Sequence, residues 1–550
     1  MKLEIKLSMV HHNPGEKPFI TKFTNPETLA EYGFNGQVFK HINTVVTFDK
    51  LGHNLFPENS PERLWIEKFK KTLKSEIDEA KNAGLLACHH IDLFVLPKKL
   101  VEIYRDQICD VEGKISLDKE MTLYLHKVLL DEIFEIVPNL DALIIRVGET
   151  YLHDTPYHIG NGAVKYGDTE REKEQFVKLI SFLREEVCVK RNKKIFFRTW
   201  DCFDNRFHTN LQYYLEITNR IEIHENLYFS IKYTSLDFWR RVKNNECLTR
   251  GIHNQIIEVQ CQREYEGKGA YPSYVMNDVV NGDSSLRNPI GLKNIVNNPL
   301  IKGVYVWPRG GGWHGPYITD ELWCDLNTYV ISKYANDTSL TEEYLFDKFS
   351  KEHLNLSDKD VGLFRELCLM ANEAILKTRY IEHYDATLKE KSYPCCNWMR
   401  DDCLGGLKQL MPAFDVLYKN GKLFEALSEK GEGYKLWQKV YNICKEIDWS
   451  NSSHKDFVIS SCEYAMCLFS SVYCGWKVMT YGYLNDKGVL NTNSLKEAIK
   501  EFDASWKKYE NLSKKKNMST LYGTCFLDDD QGIGTTVEKY RKKLNMFEDK

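Results

Sequence analysis

The sequence predicts an α/β fold, a (β/α)8 TIM barrel followed by a mostly α-helical C-terminal domain, and three observations support this prediction. The first 310 or so residues alternate short β-branched runs with longer amphipathic stretches, which is typical of βα units. Eight such runs can be counted, the number that a closed parallel barrel needs. After about Trp323 helical periods dominate and strand-like alternation nearly vanishes.

The eight candidate strands are short runs of β-branched and aromatic residues. They span 3–10, 43–48, 85–91, 142–147, 194–199, 227–233, 255–260 and 303–307. Helical segments lie between them, such as 63–83, where apolar residues recur at helical spacing. Because a barrel alone takes up to about 400 residues, we place it in residues 1–325 and a helical domain in residues 326–550.

The composition narrows the functional classes to which the protein could belong. The chain is 43% hydrophobic and 28% charged, with a net charge of −4 spread along its length, so nothing indicates binding to nucleic acid or to an anionic membrane. The first residues alternate apolar and polar side chains and predict no signal peptide, and no segment approaches the roughly 20 apolar residues of a membrane span. We therefore expect a cytoplasmic protein whose 16 cysteines are reduced and mostly buried.

Three acidic residues follow the fourth, sixth and seventh predicted strands, at the barrel end where reactive groups lie. Glu149 comes from IIRVGETY, Asp237 from IKYTSLDFW and Glu264 from EVQCQREYEG. Glycoside hydrolysis needs a protonated carboxylic acid for the leaving oxygen and a carboxylate on the opposite face of the sugar. These three acids are therefore the candidate catalytic residues of a glycoside hydrolase.

Basic and aromatic residues follow the same strands. Aromatic faces bind sugar rings, and guanidinium groups bind carboxylates in a bidentate manner, so the set would suit an oligosaccharide with an acidic sugar. The candidate substrate-binding residues are Arg146, Arg198, Trp200, Lys232, Arg263, Trp307, Arg309, Trp313 and His314.

Simpler structural roles compete with these interpretations. Glu149 could be the ion-pair partner of Arg146, and Asp237 could cap a helix that begins at DFWRR. Glu258 lies within the seventh strand, and we expect it to support the barrel or orient a neighbour rather than to react.

Two further functional classes stay open. Metal ligation by His11 and His12, with Glu16 nearby, would resemble a metal-assisted hydrolase, although we expect neither a metal nor a cofactor. A carbohydrate-binding descendant of the hydrolases, with the cleft retained and the chemistry lost, is the other alternative.

Several segments resemble the family 67 glycoside hydrolases, the α-glucuronidases that remove glucuronic acid or its 4-O-methyl ether from xylo-oligosaccharides of xylan. KYTSLDF resembles the sixth-strand signature of that family, and IEVQCQREY resembles its seventh-strand signature. IFFRTWD resembles the fifth-strand arginine segment, and the stretch from GVYVWPRGGGWHGP onward resembles the passage into the helical domain. The resemblance covers about residues 140–350.

The resemblance implies an inverting exo-acting α-glucuronidase. Glu149 would be the general acid, Asp237 and Glu264 would activate the attacking water, and Lys232 and Arg198 would hold the uronate carboxylate. It also implies a homodimer formed through the helical domain. A related α-glycosidase acting on another acidic or neutral sugar is the main alternative.

The sequence departs from the family pattern in two places. The family carries an extra α/β domain before the barrel, whereas the first predicted strand here begins at Leu3. Near the acid, the family has a Lys four positions earlier and a Ser directly before it, where this chain has Ile145 and Gly148. These differences bear on the identity of the sugar more than on the fold.

Overall fold

The structure of the protein is a computed structural model. It describes residues 2–10, 21–40, 42–148, 150, 152, 155–162, 168–202, 205–263, 265–283, 289–310, 320–385, 399, 404–513 and 532–546.

Eight parallel strands close into a barrel in the order β1-β8-β7-β6-β5-β4-β3-β2, so the predicted fold class is confirmed. The strands are β1 Ile5–Ser8, β2 Gly36–Phe39, β3 Leu86–Asp92, β4 Ala142–Arg146, β5 Lys194–Arg198, β6 Leu227–Lys232, β7 Asn254–Gln260 and β8 Ile301–Trp307. Val95–Pro97 and His158–Gly160 form a separate antiparallel pair. Buried β-branched and aromatic side chains fill the layer between the strands and their helices.

Seven of the eight strands fall where the sequence predicts them, and the second prediction is wrong. Residues 43–48 do not form a strand, because Ile42–Val45 is a 3-10 helix and β2 lies earlier, at Gly36–Phe39. The run is fully buried, and the Glu132 carboxylate accepts hydrogen bonds from the backbone N–H groups of Thr47 and Phe48. A buried irregular segment thus has the same apolar, β-branched composition as a strand.

Helices cover the outside of the barrel. They are α1 Pro26–Tyr32, α2 Pro61–Asn82, α3 Lys98–Ile108, α4 Glu120–Ile136, α5 Thr169–Leu183, α6 Leu211–Thr218, α7 Met276–Asn281, α8 Leu292–Ile295 and α9 Leu322–Asn336. Ser60 caps α2 and Asp168 caps α5, as the preference of N-caps for Ser and Asp predicts. The predicted domain boundary at 325/326 falls inside α9, which contacts β8, and the division into two domains stays a prediction.

The C-terminal part of the chain is helical, as predicted. Its helices are α10 Glu342–Glu352, α11 Asp358–Arg379, α12 Glu382–Asp385, α13 Leu407–Lys419, α14 Leu423–Glu446, α15 Ser452–Asp486, α16 Thr492–Ser513 and α17 Ile533–Lys543. Helices α11, α14, α15 and α16 pack side by side in that order, with Trp437 and Trp476 buried between them. No disulfide links the cysteines that the structure describes, and most of those are buried.

Helix α15 corrects one expectation from the sequence. It is long enough and apolar enough to cross a membrane by length and composition, although the sequence was expected to contain no such segment. More than half of its most apolar stretch is buried, and α14 and α16 pack against it. The core helix of a folded domain is apolar for the same reason that a membrane span is, because both exclude water.

Candidate active site

Two arginines predicted to bind substrate form bidentate ion pairs inside the barrel. Arg146 on β4 donates from Nε and Nη2 to the two carboxylate oxygens of Asp92 on β3, at 2.5 and 2.6 Å. Arg198 on β5 donates from Nε and Nη2 to the two oxygens of Glu258 on β7, at 2.8 and 2.7 Å. Each positive charge is therefore balanced by a carboxylate from another strand.

The Arg198–Glu258 pair is sealed from solvent. The arginine side chain is 6% exposed and the glutamate side chain 0%. Ser230 Oγ donates a third hydrogen bond to Glu258, at 2.9 Å, and the guanidinium lies 5.2 Å from the ring centroid of Trp307. The expectation that Glu258 supports the barrel is confirmed by these contacts.

A different ion pair lies where the sixth strand ends. Lys232 Nζ donates to Asp237 Oδ1 at 2.7 Å, and it also lies 3.7 Å from the ring centroid of Trp200 and 4.9 Å from that of Phe238. Trp307 is 6.0 Å away. The structure thus brings three other predicted site residues, Asp237, Trp200 and Trp307, together around the Lys232 ammonium group. Aromatic faces stabilise a desolvated cation through their quadrupoles.

The Asp237 carboxylate is ionised by its surroundings. Burial by itself would raise its pKa, but the charge of Lys232 and three hydrogen bonds lower the pKa below its usual range. The donors are Lys232 Nζ, the Phe238 backbone N–H at 3.1 Å and the Tyr265 hydroxyl at 2.5 Å. An ionised carboxylate can accept a proton from water or attack carbon, whereas it cannot donate a proton.

The alternative that Asp237 caps a helix is wrong. Residues 233–253 are all described, and they contain no helix. The Phe238 amide hydrogen bond to Asp237 belongs to an irregular turn instead. The side chain is 17% exposed, so the carboxylate is partly open to solvent at the mouth of the barrel.

Tyr265 is a site residue that the sequence interpretation missed. Its hydroxyl donates to Asp237, and its ring stacks on Trp239 with the centroids 3.5 Å apart and the planes at 15°. The signal was present in QREYEG, where this tyrosine directly follows the candidate acid Glu264. Only the fold shows that it contacts the carboxylate of the sixth-strand segment.

The other two predicted arginines are buried against protein groups. Arg263 donates to the Tyr233 hydroxyl at 3.1 Å and to the Phe238 carbonyl, and it lies 3.6 Å from Glu266. Arg309 donates to Gln262 at 2.7 Å and to Glu321 at 2.7 Å. Their role in substrate binding stays a prediction. Glu149, Glu264, Trp313 and His314 lie outside the described residues.

Gly148 explains one departure from the family 67 pattern. A Cβ atom at this position would lie 2.3 Å from the carbonyl oxygen of Trp200 and 3.0 Å from the Cys202 sulfur. The serine that the family has there would therefore clash with the segment that follows β5. The close approach places Gly148 itself against Trp200, the residue whose ring lies under the Lys232 ammonium.

Within the described ranges, no group of three or more His, Cys, Asp or Glu side chains could hold a metal ion. The alternative ligands His11, His12 and Glu16 lie outside those ranges.

One comparison with a solved structure supports the architecture. No protein-family model and no curated protein matches the chain. A solved GH138 enzyme targeting pectin rhamnogalacturonan II aligns with 99% of this chain and 67% of its own, with a TM-score of 0.59 and 12% identity.

Two other solved glycosidases are more distant. A family GH115 4-O-methyl-α-glucuronidase with specificity for decorated arabinogalactans aligns over 94% of this chain and 60% of its own, with a TM-score of 0.45 and 9% identity. An O-GlcNAc hydrolase mutant from Thermobaculum terrenum aligns over 98% and 94%, with a TM-score of 0.39 and 10% identity. The chain thus shares its fold with the GH138 enzyme, and that likeness does not single out family 67.

Proposed function

We propose that this chain is a glycoside hydrolase of the cytoplasm, an inverting exo-acting α-glucuronidase that removes glucuronic acid or its 4-O-methyl ether from short oligosaccharides. The observation that carries the proposal is the Asp237 carboxylate, kept ionised at the barrel mouth by Lys232 and Tyr265. The fold likeness to a glycoside hydrolase supports the reaction class.

The state of Asp237 fits a base that activates water. An inverting enzyme needs a deprotonated base and a protonated acid about 6.5 to 9.5 Å apart, with the water between base and sugar. In this proposal Asp237 and Glu264 share the role of base, and Glu149 is the acid that protonates the leaving oxygen. The roles of Glu264 and Glu149 rest on the sequence motifs.

In this proposal Lys232, which is 3% exposed and pairs with the partly exposed Asp237, holds the substrate carboxylate. Its ammonium has three N–H donors, and Asp237 takes one of them. The same ammonium can therefore bridge the base and a uronate placed over Trp200. Arg198 would have to share its guanidinium between Glu258 and the substrate.

A specific observation favours a second candidate, hydrolysis of a neutral α-linked sugar. The arginines that were expected to attract an anionic sugar each lie within ion-pair distance of a carboxylate, so their charges are already balanced. The pairs are Arg146–Asp92, Arg198–Glu258, Arg263–Glu266 and Arg309–Glu321. A neutral sugar would bind to such a surface without displacing any of these carboxylates.

An NMR time course separates the candidates. The purified protein is incubated with an α-glucuronyl xylo-oligosaccharide, and in parallel with a panel of neutral and acidic α-linked oligosaccharides. Initial release of β-glucuronic acid supports both the sugar and inversion. Release of a different sugar contradicts the glucuronidase proposal and supports the second candidate.

Two controls address the remaining alternatives. Saturable sugar binding without release of any product would instead identify a binding protein. Loss of activity after treatment with a chelator would indicate the metal-assisted mechanism, which the proposal excludes.

The Glu149→Gln variant should lose turnover while it retains binding, because it lacks the proton donor.

A further inference from the structure

The segment that carries Asp237 has an unusual form for a barrel. The whole connection between β6 and β7, residues 233–253, is irregular. Its base is closed by hydrogen bonds from the Ser235 N–H to the Lys243 carbonyl, at 2.8 Å, and from the Asn245 N–H to the Tyr233 carbonyl, at 3.0 Å. Long connections without regular structure open easily unless other elements hold them. We call residues 236–242 the loop tip.

Groups of the barrel domain hold the loop tip. Arg240 donates from Nε and Nη2 to the two carboxylate oxygens of Glu266, at 2.8 and 2.9 Å. Its Nη1 donates to Asp278 at 3.1 Å. Arg263 donates to the Phe238 carbonyl, next to Asp237 in the chain.

Helix α11 and its C-cap also hold the loop tip. The Tyr380 hydroxyl accepts a hydrogen bond from the Arg240 backbone N–H at 2.9 Å. Asn372 Oδ1 accepts one from Arg240 Nη2 at 3.1 Å, and Asn372 Nδ2 donates to the Tyr274 carbonyl. The C-terminal helical region thus contacts the chain three residues beyond Asp237.

We propose that α11 positions the proposed catalytic base, because Asn372 and Tyr380 hold the loop tip in one arrangement. The helical region is then part of the active-site support. Neither residue touches the carboxylate, so both are positioning residues that act through Arg240. The catalytic part of the inference rests on the proposed function.

Because Arg240 is buried, its contacts favour one arrangement of the loop tip. Arg240 is 3% exposed, and its positive charge is stabilised only while the partner carboxylates and polar groups stay in place. A buried polar network has few alternative arrangements of similar energy. Displacement of a catalytic group by about 1 Å can cost about a hundredfold in rate.

Hydrogen exchange tests the contact without reference to activity. Mass spectrometry follows amide exchange of peptides that cover 236–242 in the full-length wild type and in the variants Tyr380→Phe and Asn372→Ala. We expect exchange to be about fivefold faster in Tyr380→Phe, since one hydrogen bond is lost. The matched control is Tyr334→Phe on α9, because the buried Tyr334 hydroxyl makes no hydrogen bond to any residue that the structure describes. It should leave exchange of the loop tip unchanged.

The positioning role is tested on the same variants with a sugar that the wild type hydrolyses. We expect kcat to fall about tenfold with KM little changed, as for a displaced base. The acidic limb of the pH profile should also move, since Asp237 then loses part of its contact with Lys232. Melting temperatures confirm that each variant is folded.

The outcomes are distinct. If neither exchange nor kcat changes in Tyr380→Phe and Asn372→Ala, the inference is wrong. If exchange rises while kcat and the pH profile stay as in the wild type, α11 holds the loop but does not position the base, which also overturns it. If the wild type hydrolyses no sugar, the proposed function fails, and the exchange comparison still decides whether α11 holds the loop.

Discussion

Two ion pairs at the same end of the barrel differ in how far they are closed to solvent. In the Arg198–Glu258 pair the side chains are 6% and 0% exposed, and two parallel hydrogen bonds join them. In the Lys232–Asp237 pair the side chains are 3% and 17% exposed, and one hydrogen bond joins them. The carboxylate is sealed in the first pair and partly open in the second.

This difference in exposure distinguishes a structural carboxylate from a candidate catalytic carboxylate. A carboxylate without solvent or substrate access cannot exchange a proton with a reacting group, however strongly it is charged. A carboxylate at the opening can, provided that its neighbours set its charge state. Of these two carboxylates, Glu258 therefore organises the interior, and Asp237 has the more exposed side chain, as the proposed catalytic role requires.

The largest expected effect is that of Asp237→Asn. The amide cannot accept a proton from water, so kcat should fall about 10² to 10⁴-fold on the sugar that the wild type hydrolyses. Initial rates measure the loss. Circular dichroism and the melting temperature check that the variant is folded, because Lys232 loses its carboxylate partner. A variant that keeps most of its kcat would place the base elsewhere, with Glu264 the next residue to test.

Glu258→Gln should act on stability instead. The substitution leaves the buried Arg198 charge opposite a neutral amide, which should lower the free energy of unfolding by about 3 to 5 kcal/mol. Urea unfolding measures this change. The matched control is Glu135→Gln, since Glu135 pairs with Lys50 at the exposed surface and its replacement should change stability little. Equal effects of the two substitutions would contradict the structural role of Glu258.

The sequence predicted the fold well because hydrophobic periods depend on local residues. It failed at residues 43–48, because a buried irregular segment needs the same residue types as a buried strand. It also identified Lys232 and Asp237, five positions apart, whose hydrogen bond the structure shows.

Partners distant in the chain could not be predicted in this way. Asp92 meets Arg146 because the two are register partners across β3 and β4, and register is a property of the closed barrel. The contact between Tyr265 and Asp237 also depends on the fold, so the sequence did not predict it. The sequence therefore suggested basic residues near the candidate acids that would suit an acidic sugar, whereas the fold gives each of the four arginines a carboxylate neighbour that the sequence did not predict.

Lys232→Met tests whether the more open pair also selects the sugar. Methionine keeps an apolar stem between Trp200 and Phe238 but removes the charge. We expect the ratio of kcat/KM for an acidic sugar to that for a neutral sugar to fall about ten- to hundredfold, because a charged hydrogen bond to the uronate is lost. The ratio cancels any common effect on Asp237. An equal loss of kcat/KM on both sugars would show that Lys232 acts only through its contact with the Asp237 carboxylate.

Tyr265→Phe should have the smallest effect on activity, and this effect should depend on pH. The hydroxyl donates to the ionised form of Asp237, so its removal raises the pKa of that carboxyl toward its usual range. The base is active when deprotonated, so the acidic limb of the kcat/KM profile should move to higher pH. Activity should fall about fivefold on that limb and stay near the wild-type value at higher pH. A uniform loss at every pH would instead assign Tyr265 to packing against Trp239, because a missing hydrogen bond to the charged form acts only where Asp237 titrates.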